Sequence, residues 1–521
     1  MLSPHRAGHD EPSRREVTPH LDRFELAVLL AFAAISLWVV ALDVRQVVVH
    51  GRVWTGTDGV YLADQLQYLA WVRDASKHIL ISNLFVLRGT PHDFFQPAFV
   101  ISGGLTAIGV PAWLSLLLWK PVAVVALFYA VRAYVTRILP GREGARAALV
   151  LALFFGSFTL IYGSAGTIGD LFLGFLSWGY VFALLSLACM VAALLAQDRL
   201  RARNHIGWLP GALGALASLL HPWHGELLIV TIIGAEAMLP RHKLRRRQLG
   251  LATLTVVLTA LPLLYYELLG RLDLSWRLAR VASKHTFPLG SILLAVVPLL
   301  IVAAFARRPR GFLAATAPAW VVASLVVYAV SASGVAATPL HAFEGVTIPL
   351  AVLAVEGCQR IGWSWIPHHR LAAGALIAAF TVPALVYQLL NARDLVAFQP
   401  ARASFVLPDE RSALRYLADD PTPGGVMARS YLGAFVPGAT GRHSYVGNCL
   451  WSEPHCSQRL VTVRSLFTGK LSASQARRVV LDSGARFLLA DCRRNANLGQ
   501  LLSPMITSER RFGCARVYQV G

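Results

Sequence analysis

The stretch Gly59-Val-Tyr-Leu-Ala-Asp64-Gln-Leu-Gln-Tyr68-Leu-Ala-Trp71-Val-Arg73-Asp74 gathers two carboxylates, an arginine and three aromatic rings soon after the first long apolar run of the chain. Tyr61, Leu62, Leu66, Leu69, Ala70 and Val72 recur at helical spacing, which predicts an amphipathic helix lying along a membrane surface. Asp64 stands at its start. An aspartate there serves either as an N-cap at the positive end of the helix dipole or as a functional group, because a carboxylate is costly to keep at a membrane interface. Which reading holds depends on the rest of the chain.

Of the 521 residues, 55% are hydrophobic and only 15% charged, and the mean hydropathy is +0.54. Soluble domains carry more charge than this. Apolar runs long enough to cross a bilayer, broken by short basic clusters, predict a polytopic α-helical membrane protein with the lipid bilayer as its surroundings. The formal charge of +20 follows from arginines clustered in alternate loops, and no tract interleaves basic and aromatic residues, so nucleic acid is excluded as a partner. Residues 1–23, with Arg6, Arg14, Arg15 and Arg23, read as a disordered cytoplasmic tail. The run Phe24 to Leu42 is too long for a signal-peptide core and reads as a retained first crossing.

Residues 43–96 then form a first loop holding the opening motif. Ala98 to Val110 is apolar, short and glycine-rich, a re-entrant or interfacial segment. Further crossings are read at 113–138, 145–162, 171–196, 206–221, 225–239, 249–269, 288–306, 311–330, 345–360 and 371–391, giving about eleven in all. Arg137/Arg142/Arg146, Arg199/Arg201/Arg203, Arg241/Lys243/Arg245/Arg246/Arg247, Arg307/Arg308/Arg310 and Arg360/Arg370 fall in one set of loops, while 163–170, 222–224 and 331–344 contain no Lys or Arg. The positive-inside rule places the first set in the cytoplasm, and 43–96 and the C-terminal tail outside the plasma (inner) membrane. Residues 24–391 are thus the membrane domain.

Residues 392–521 change character. Turn signals (Asp420-Pro421, Pro423-Gly424-Gly425, Pro437-Gly438) separate helical patterns at 409–418 and 472–483 from short strand-like runs such as Arg486 to Ala490, predicting a small extracytoplasmic α/β domain. Four of the six cysteines lie here. On an oxidising face they favour disulfides, with Cys449–Cys456 and Cys492–Cys514 preferred among the three pairings; zinc bound by Cys449, Cys456 and His455 is the alternative.

Ionisable residues near external helix ends carry the chemical information. Asp58, Asp64 and Asp74 lie in the first loop, and Asp170 closes the turn from Gly163 to Gly169. His221, His224 and Glu226 share the next external turn and offer ligands for a divalent ion (Mg, Mn or Zn), or else only shape a proline-containing turn. Arg271, Asp273, Arg277, Arg280, Lys284 and His285 precede one crossing, and His341 and Glu344 another. The basic cluster reads as a phosphate clamp or as an anchor for anionic headgroups. Asp170 reads as a helix cap or as part of a site.

Asp64-Gln-Leu-Gln-Tyr68-Leu-Ala-Trp-Val-Arg73, followed by Phe95-Gln-Pro97, resembles the first external loop of the GT-C glycosyltransferases, among them the lipid A aminoarabinose transferases and protein O-mannosyltransferases. Asp64 matches the catalytic acid position of that superfamily, and Asp170 resembles a second acid of the following external loop. Asp58 is a further acidic candidate for an acceptor or metal site. Ala439-Thr-Gly441-Arg442 and Tyr445-Val-Gly447 are similar to extracytoplasmic segments of bacterial members. Gln65 stands where Asp-Glu versions have their second acid, Gln96-Pro97 where some members have Lys-Pro-Pro, and the WWDXG motif of oligosaccharyltransferases is absent. These departures leave subfamily, donor and metal dependence open.

The resemblance implies transfer of a sugar from a polyprenyl-phosphate donor to a cell-envelope glycan, lipid or protein on the outer face, with inversion. Asp64 would accept the proton of the attacking hydroxyl, and Arg271, Arg277, Arg280 and Lys284 would neutralise the departing phosphate. Tyr68, Arg73, His341 and Glu344 would line the substrate cavity. The rival readings are a transporter or flippase of lipid-linked glycans and a non-catalytic envelope-assembly protein. No internal repeat of the kind transporters carry is evident. The discriminating observation is whether Asp64 and Asp170 open onto one external cavity near a basic patch; acids far apart or facing lipid would count against the enzyme.

Overall fold

A computed structural model describes residues 20–58, 60–156, 169–240, 246–284, 287–334, 338–362, 369–400, 402–493 and 495–521. The tail before residue 20, most of the Gly163–Gly169 turn, Arg241 to Arg245 and His285 lie outside the described residues.

The first helix, Arg23–His50, opens with a capping box in which Asp22 accepts from Glu25 N and Glu25 reaches back. It runs eight residues beyond the apolar stretch and stops at Gly51, whose φ of 62° glycine adopts without strain. The same Asp22 carboxylate accepts from Arg142 at 2.7 Å and Arg146 at 2.9 Å, so one cap also ties the first helix to the basic first turns of the helix Arg142–Phe154. These arginines hold the Asp22 carboxyl below the usual range.

Among the described residues, 7 helices have the length and composition of a crossing: Arg23–His50, Ala112–Ile138, Val181–Ala202, Arg246–Leu272, Phe312–Ala332, Pro339–Ile361 and Arg370–Leu395. Pro97–Ala107, Leu209–Leu220 and Leu289–Ala303 are apolar but shorter. The protein is therefore a multi-pass helical membrane protein, with seven helices among the described residues that meet the length and composition of a crossing; the run read at 145–162 extends beyond the described residues. Hydropathy averages across the break that the backbone makes at Tyr180, inside the run read at 171–196. The break at His221-Pro222, where proline removes a donor and starts a new helix, falls instead between two runs that the sequence already separates.

The motif helix, Leu62–Ala75, departs from the expectation of a helix lying on a membrane surface. Nine of its 14 residues are buried. Ala70, Trp71 and Val72 pack into the membrane bundle, whereas Leu66 and Leu69 pack against Val406, Tyr431 and Leu432 of the C-terminal region. The helix is wedged between the two.

That C-terminal region holds a four-stranded sheet in the order β3-β4-β6-β5: β3 Val426–Ala428, β4 Phe487–Ala490, β5 Ile506–Phe512 and β6 Ala515–Val520. β3 and β4 are parallel and the remaining pairs antiparallel. Strand side chains alternate; Phe487 and Leu489 join the core shared with the motif helix, and Leu488 and Ala490 a second core on the other face. Burial on both faces explains why this strand reads as an unbroken apolar run. A ribbon of β1 Val53–Trp54 and β2 Phe405–Val406 stitches the first loop to the tail. Disulfides join Cys449 to Cys456 and Cys492 to Cys514. Sulfurs bonded to each other are not thiolate ligands, so the zinc alternative at Cys449, Cys456 and His455 is set aside.

Candidate active site

Tyr61 occupies the cap position of the motif helix in a left-handed conformation, φ 52° and ψ 39°, and its side chain makes no capping bond. A non-glycine residue in this region stores strain that its surroundings must hold in place. Here they do: the Tyr61 hydroxyl donates to Asp170 Oδ1, and its ring lies 4.2 Å from that of Tyr180. Gly179 makes this approach feasible, since a Cβ there would stand 2.5 Å from the Tyr61 ring.

Asp64 therefore is not the cap. It lies in the first turn, half-buried, and its Oδ2 accepts a 2.7 Å hydrogen bond from the Tyr180 hydroxyl. Tyr180 sits in the break between helices Leu173–Gly179 and Val181–Ala202. Two adjacent tyrosines thus each hold one carboxylate, Asp64 from the first loop and Asp170 from the second.

A third group closes the arrangement. Glu344, fully buried ahead of the helix Thr347–Ile361, bonds through Oε1 to His341 Nδ1. Its Oε2 faces His221 Nδ1 at 3.6 Å and His224 Nε2 at 3.4 Å. The His341 ring lies 5.9 Å from that of Tyr180. Ligand atoms of Asp170, His341 and Glu344 lie within 4.8 Å of one another, as do those of His221, His224 and Glu344.

Burial raises the carboxyl of Asp64 above its ordinary value, with the Tyr180 hydrogen bond and His341 pulling the other way. Burial likewise lifts Asp170 to about 6. Taking a carboxylate out of water disfavours its charged form, and a base so raised is stronger at neutral pH.

The acid that joins His221 and His224 is Glu344. Glu226, half-buried two residues beyond His224, is in neither group among the described residues. Asp58 is buried in an ion pair with Lys120. Asp74 is buried and accepts from Ser82 N at 2.7 Å, with His78 and His92 beside it, at the far end of the motif helix from Asp64. Arg271 and Arg280 both pair with Glu267, at 2.6 and 3.0 Å. Arg277 and Lys284 are exposed, and among the described residues neither is in an ion pair. Tyr68 packs among Trp71, Phe99 and Phe182. Arg73 lies against Gly441 of the tail, where a Cβ would be 3.5 Å from its side chain.

Three participants escaped the sequence reading: Tyr180, Lys120 and Tyr61 as a hydrogen-bond donor. A tyrosine after glycine between two apolar runs, Trp178-Gly-Tyr180, is the one local sign of the first.

No family model matches the chain, and no curated protein matches it. Solved structures do. ArnT from Cupriavidus metallidurans bound to undecaprenyl phosphate is similar with a TM-score of 0.51 at 12% identity, over 95% of this chain and 97% of that one. Arabinofuranosyltransferase AftD from Mycobacteria gives 0.53 at 16% identity, over 98% of this chain and 40% of that one. The apo Archaeoglobus fulgidus oligosaccharyltransferase gives 0.50 at 13% identity, over 95% and 74%. All three are membrane glycosyltransferases of the GT-C superfamily. With its helical bundle, its loop-borne acids and its C-terminal sheet, the chain has the GT-C fold.

Proposed function

We propose that this protein transfers a sugar from a polyprenyl-phosphate donor to a hydroxyl of a cell-envelope glycan, lipid or protein. The observation that supports it best is the convergence of Asp64 and Asp170, from separate loops, on the Tyr61–Tyr180 pair. In the reaction the acceptor oxygen bonds to the anomeric carbon and the bond from that carbon to the phosphate oxygen breaks. The electron pair leaves with the lipid phosphate, and the hydroxyl proton passes to the Asp64 carboxylate. Attack opposite the leaving group inverts the centre. Arg277 on the helix Leu274–Ala282 and Lys284 just after it, neither in an ion pair among the described residues, are the cations we assign to the leaving phosphate. The fold supports a lipid-linked donor because ArnT was solved with undecaprenyl phosphate.

The test incubates membranes holding the protein with a panel of radiolabelled polyprenyl-phosphate sugars. Transfer predicts a labelled acceptor and free polyprenyl phosphate in equal amounts. A transporter would move label across the bilayer and leave the donor intact, and that result would reject the enzyme.

We also propose that the motif loop and the domain of residues 392–521 face outside the plasma membrane. Single cysteines at Ser333 and Arg246 should then label from opposite sides, position 333 from outside and position 246 from the cytoplasm. Labelling of position 246 by an impermeant reagent in intact cells would reverse the topology.

A further inference from the structure

We propose that His221, His224 and Glu344 bind a zinc ion, separate from the two aspartates and independent of which group the site transfers. His224 Nδ1 lies 2.9 Å from Ser186 Oγ. The Ser186 hydroxyl already donates its proton to Ala217 O at 2.8 Å. Ser186 must therefore accept from His224, which puts the imidazole proton on Nδ1 and leaves a lone pair on Nε2. That lone pair faces Glu344 Oε2, itself an acceptor, at 3.4 Å. His221 Nδ1 faces the same oxygen at 3.6 Å. Among the described residues none of these three atoms has a hydrogen-bond partner, and His224 and Glu344 are fully buried. His224 Nε2 and Glu344 Oε2 are thus two buried acceptors pointed at one another, which repel unless a cation lies between them. His221 Nδ1 joins them as a ligand when its proton sits on Nε2.

A proton is the first candidate, but a protonated histidine would donate to the carboxylate at about 2.8 Å with linear geometry. The observed spacing is wider. It matches the edges of a tetrahedron around zinc, where bonds of about 2.0–2.2 Å separate neighbouring ligands by roughly 3.3–3.6 Å. Two imidazoles and a carboxylate are a zinc-type donor set with one position left open. The outer shell is also in place: Ser186 fixes the His224 tautomer, and His341 fixes Glu344 through its other oxygen. The neighbouring set of Asp170, His341 and Glu344 is a weaker candidate, because Asp170 Oδ1 and His341 Nδ1 are already engaged by Tyr61 and Glu344. The ion would pin the His221–His224 turn to the head of the helix Thr347–Ile361. It would thereby position His341 beside Tyr180.

The test is metal content and spectroscopy on the full chain in detergent. After loading with zinc and desalting, the unaltered protein should hold about one zinc per chain. Cobalt in its place should give the intense visible bands of a tetrahedral site. Glu344→Gln should lower zinc occupancy at least about tenfold, Ser186→Ala should weaken affinity by about 10–100-fold, and Glu226→Gln should change neither. His224→Cys keeps a ligand, so it should still bind cobalt and add a sulfur-to-metal band. Should Glu344→Gln fail to fold, the cobalt spectra of the unaltered protein and of His224→Cys decide the matter. Unaltered protein that retains no zinc, zinc held equally by Glu344→Gln, or zinc lost in Glu226→Gln would each overturn the assignment. Failure of the transfer assay would leave these readouts untouched.

Discussion

Asp64→Asn is expected to slow sugar transfer by about 10²–10⁴-fold, the usual loss when a general base is removed, with a much smaller effect on donor binding. The substitution keeps the shape and can still accept the 2.7 Å bond from Tyr180, so the loss isolates basicity. A capping role predicts the opposite, because Asn caps as well as Asp. The cap position is held by Tyr61, and no stability change from a lost cap is expected. The pH profile gives a second reading of the same site. With Asp64 raised by burial and Asp170 at about 6, the rate should rise with pH as the carboxyls ionise. The acid limb should then lie above the ordinary carboxylate range. Asp74→Asn is the control and should keep most transfer activity. Near-normal transfer by Asp64→Asn at normal expression would remove the proposed base.

Lys120→Met is expected to cost about 3–5 kcal/mol of stability, the loss typical of removing one partner from a buried ion pair. The Lys120 ammonium pairs with Asp58 and donates to the carbonyls of Ser36, Ser177 and Trp178 at 3.2, 3.0 and 3.2 Å. Side-chain exposure of the pair is 2% and 5%, so water cannot replace the lost partner. The pair ties the first helix, the first loop and the segment before Tyr180 together, next to the candidate site. Removing the stranded charge as well should recover part of the loss, so Lys120→Met with Asp58→Asn should melt higher in detergent than Lys120→Met alone. A single variant melting like the unaltered protein, or a double variant less stable than the single, would contradict this structural role.

The helical membrane class was legible in the chain because hydropathy is a local property. A run of apolar residues must be buried in lipid or protein wherever the rest of the chain goes. The strand Phe487–Ala490 was legible for the same reason. Local reading failed where lipid and protein burial look alike. The helix Leu62–Ala75 has an apolar pattern suited to a membrane surface, yet the C-terminal region covers it. Tertiary packing alone decided which acids meet. Asp64 and Tyr180 are 116 residues apart, and Tyr61 and Asp170 are 109. Nothing in either neighbourhood specifies the other. Sequence spacing also pointed to Glu226 as the partner of His224, but residues two apart lie on opposite faces of a helix. The carboxylate that reaches the histidines is Glu344, brought there by the packing of Pro222–Met238 and Phe312–Ala332 around the segment Pro339–Phe343. Hydrophobic periodicity determines what is buried, whereas the contacts between helices determine which polar groups are buried together.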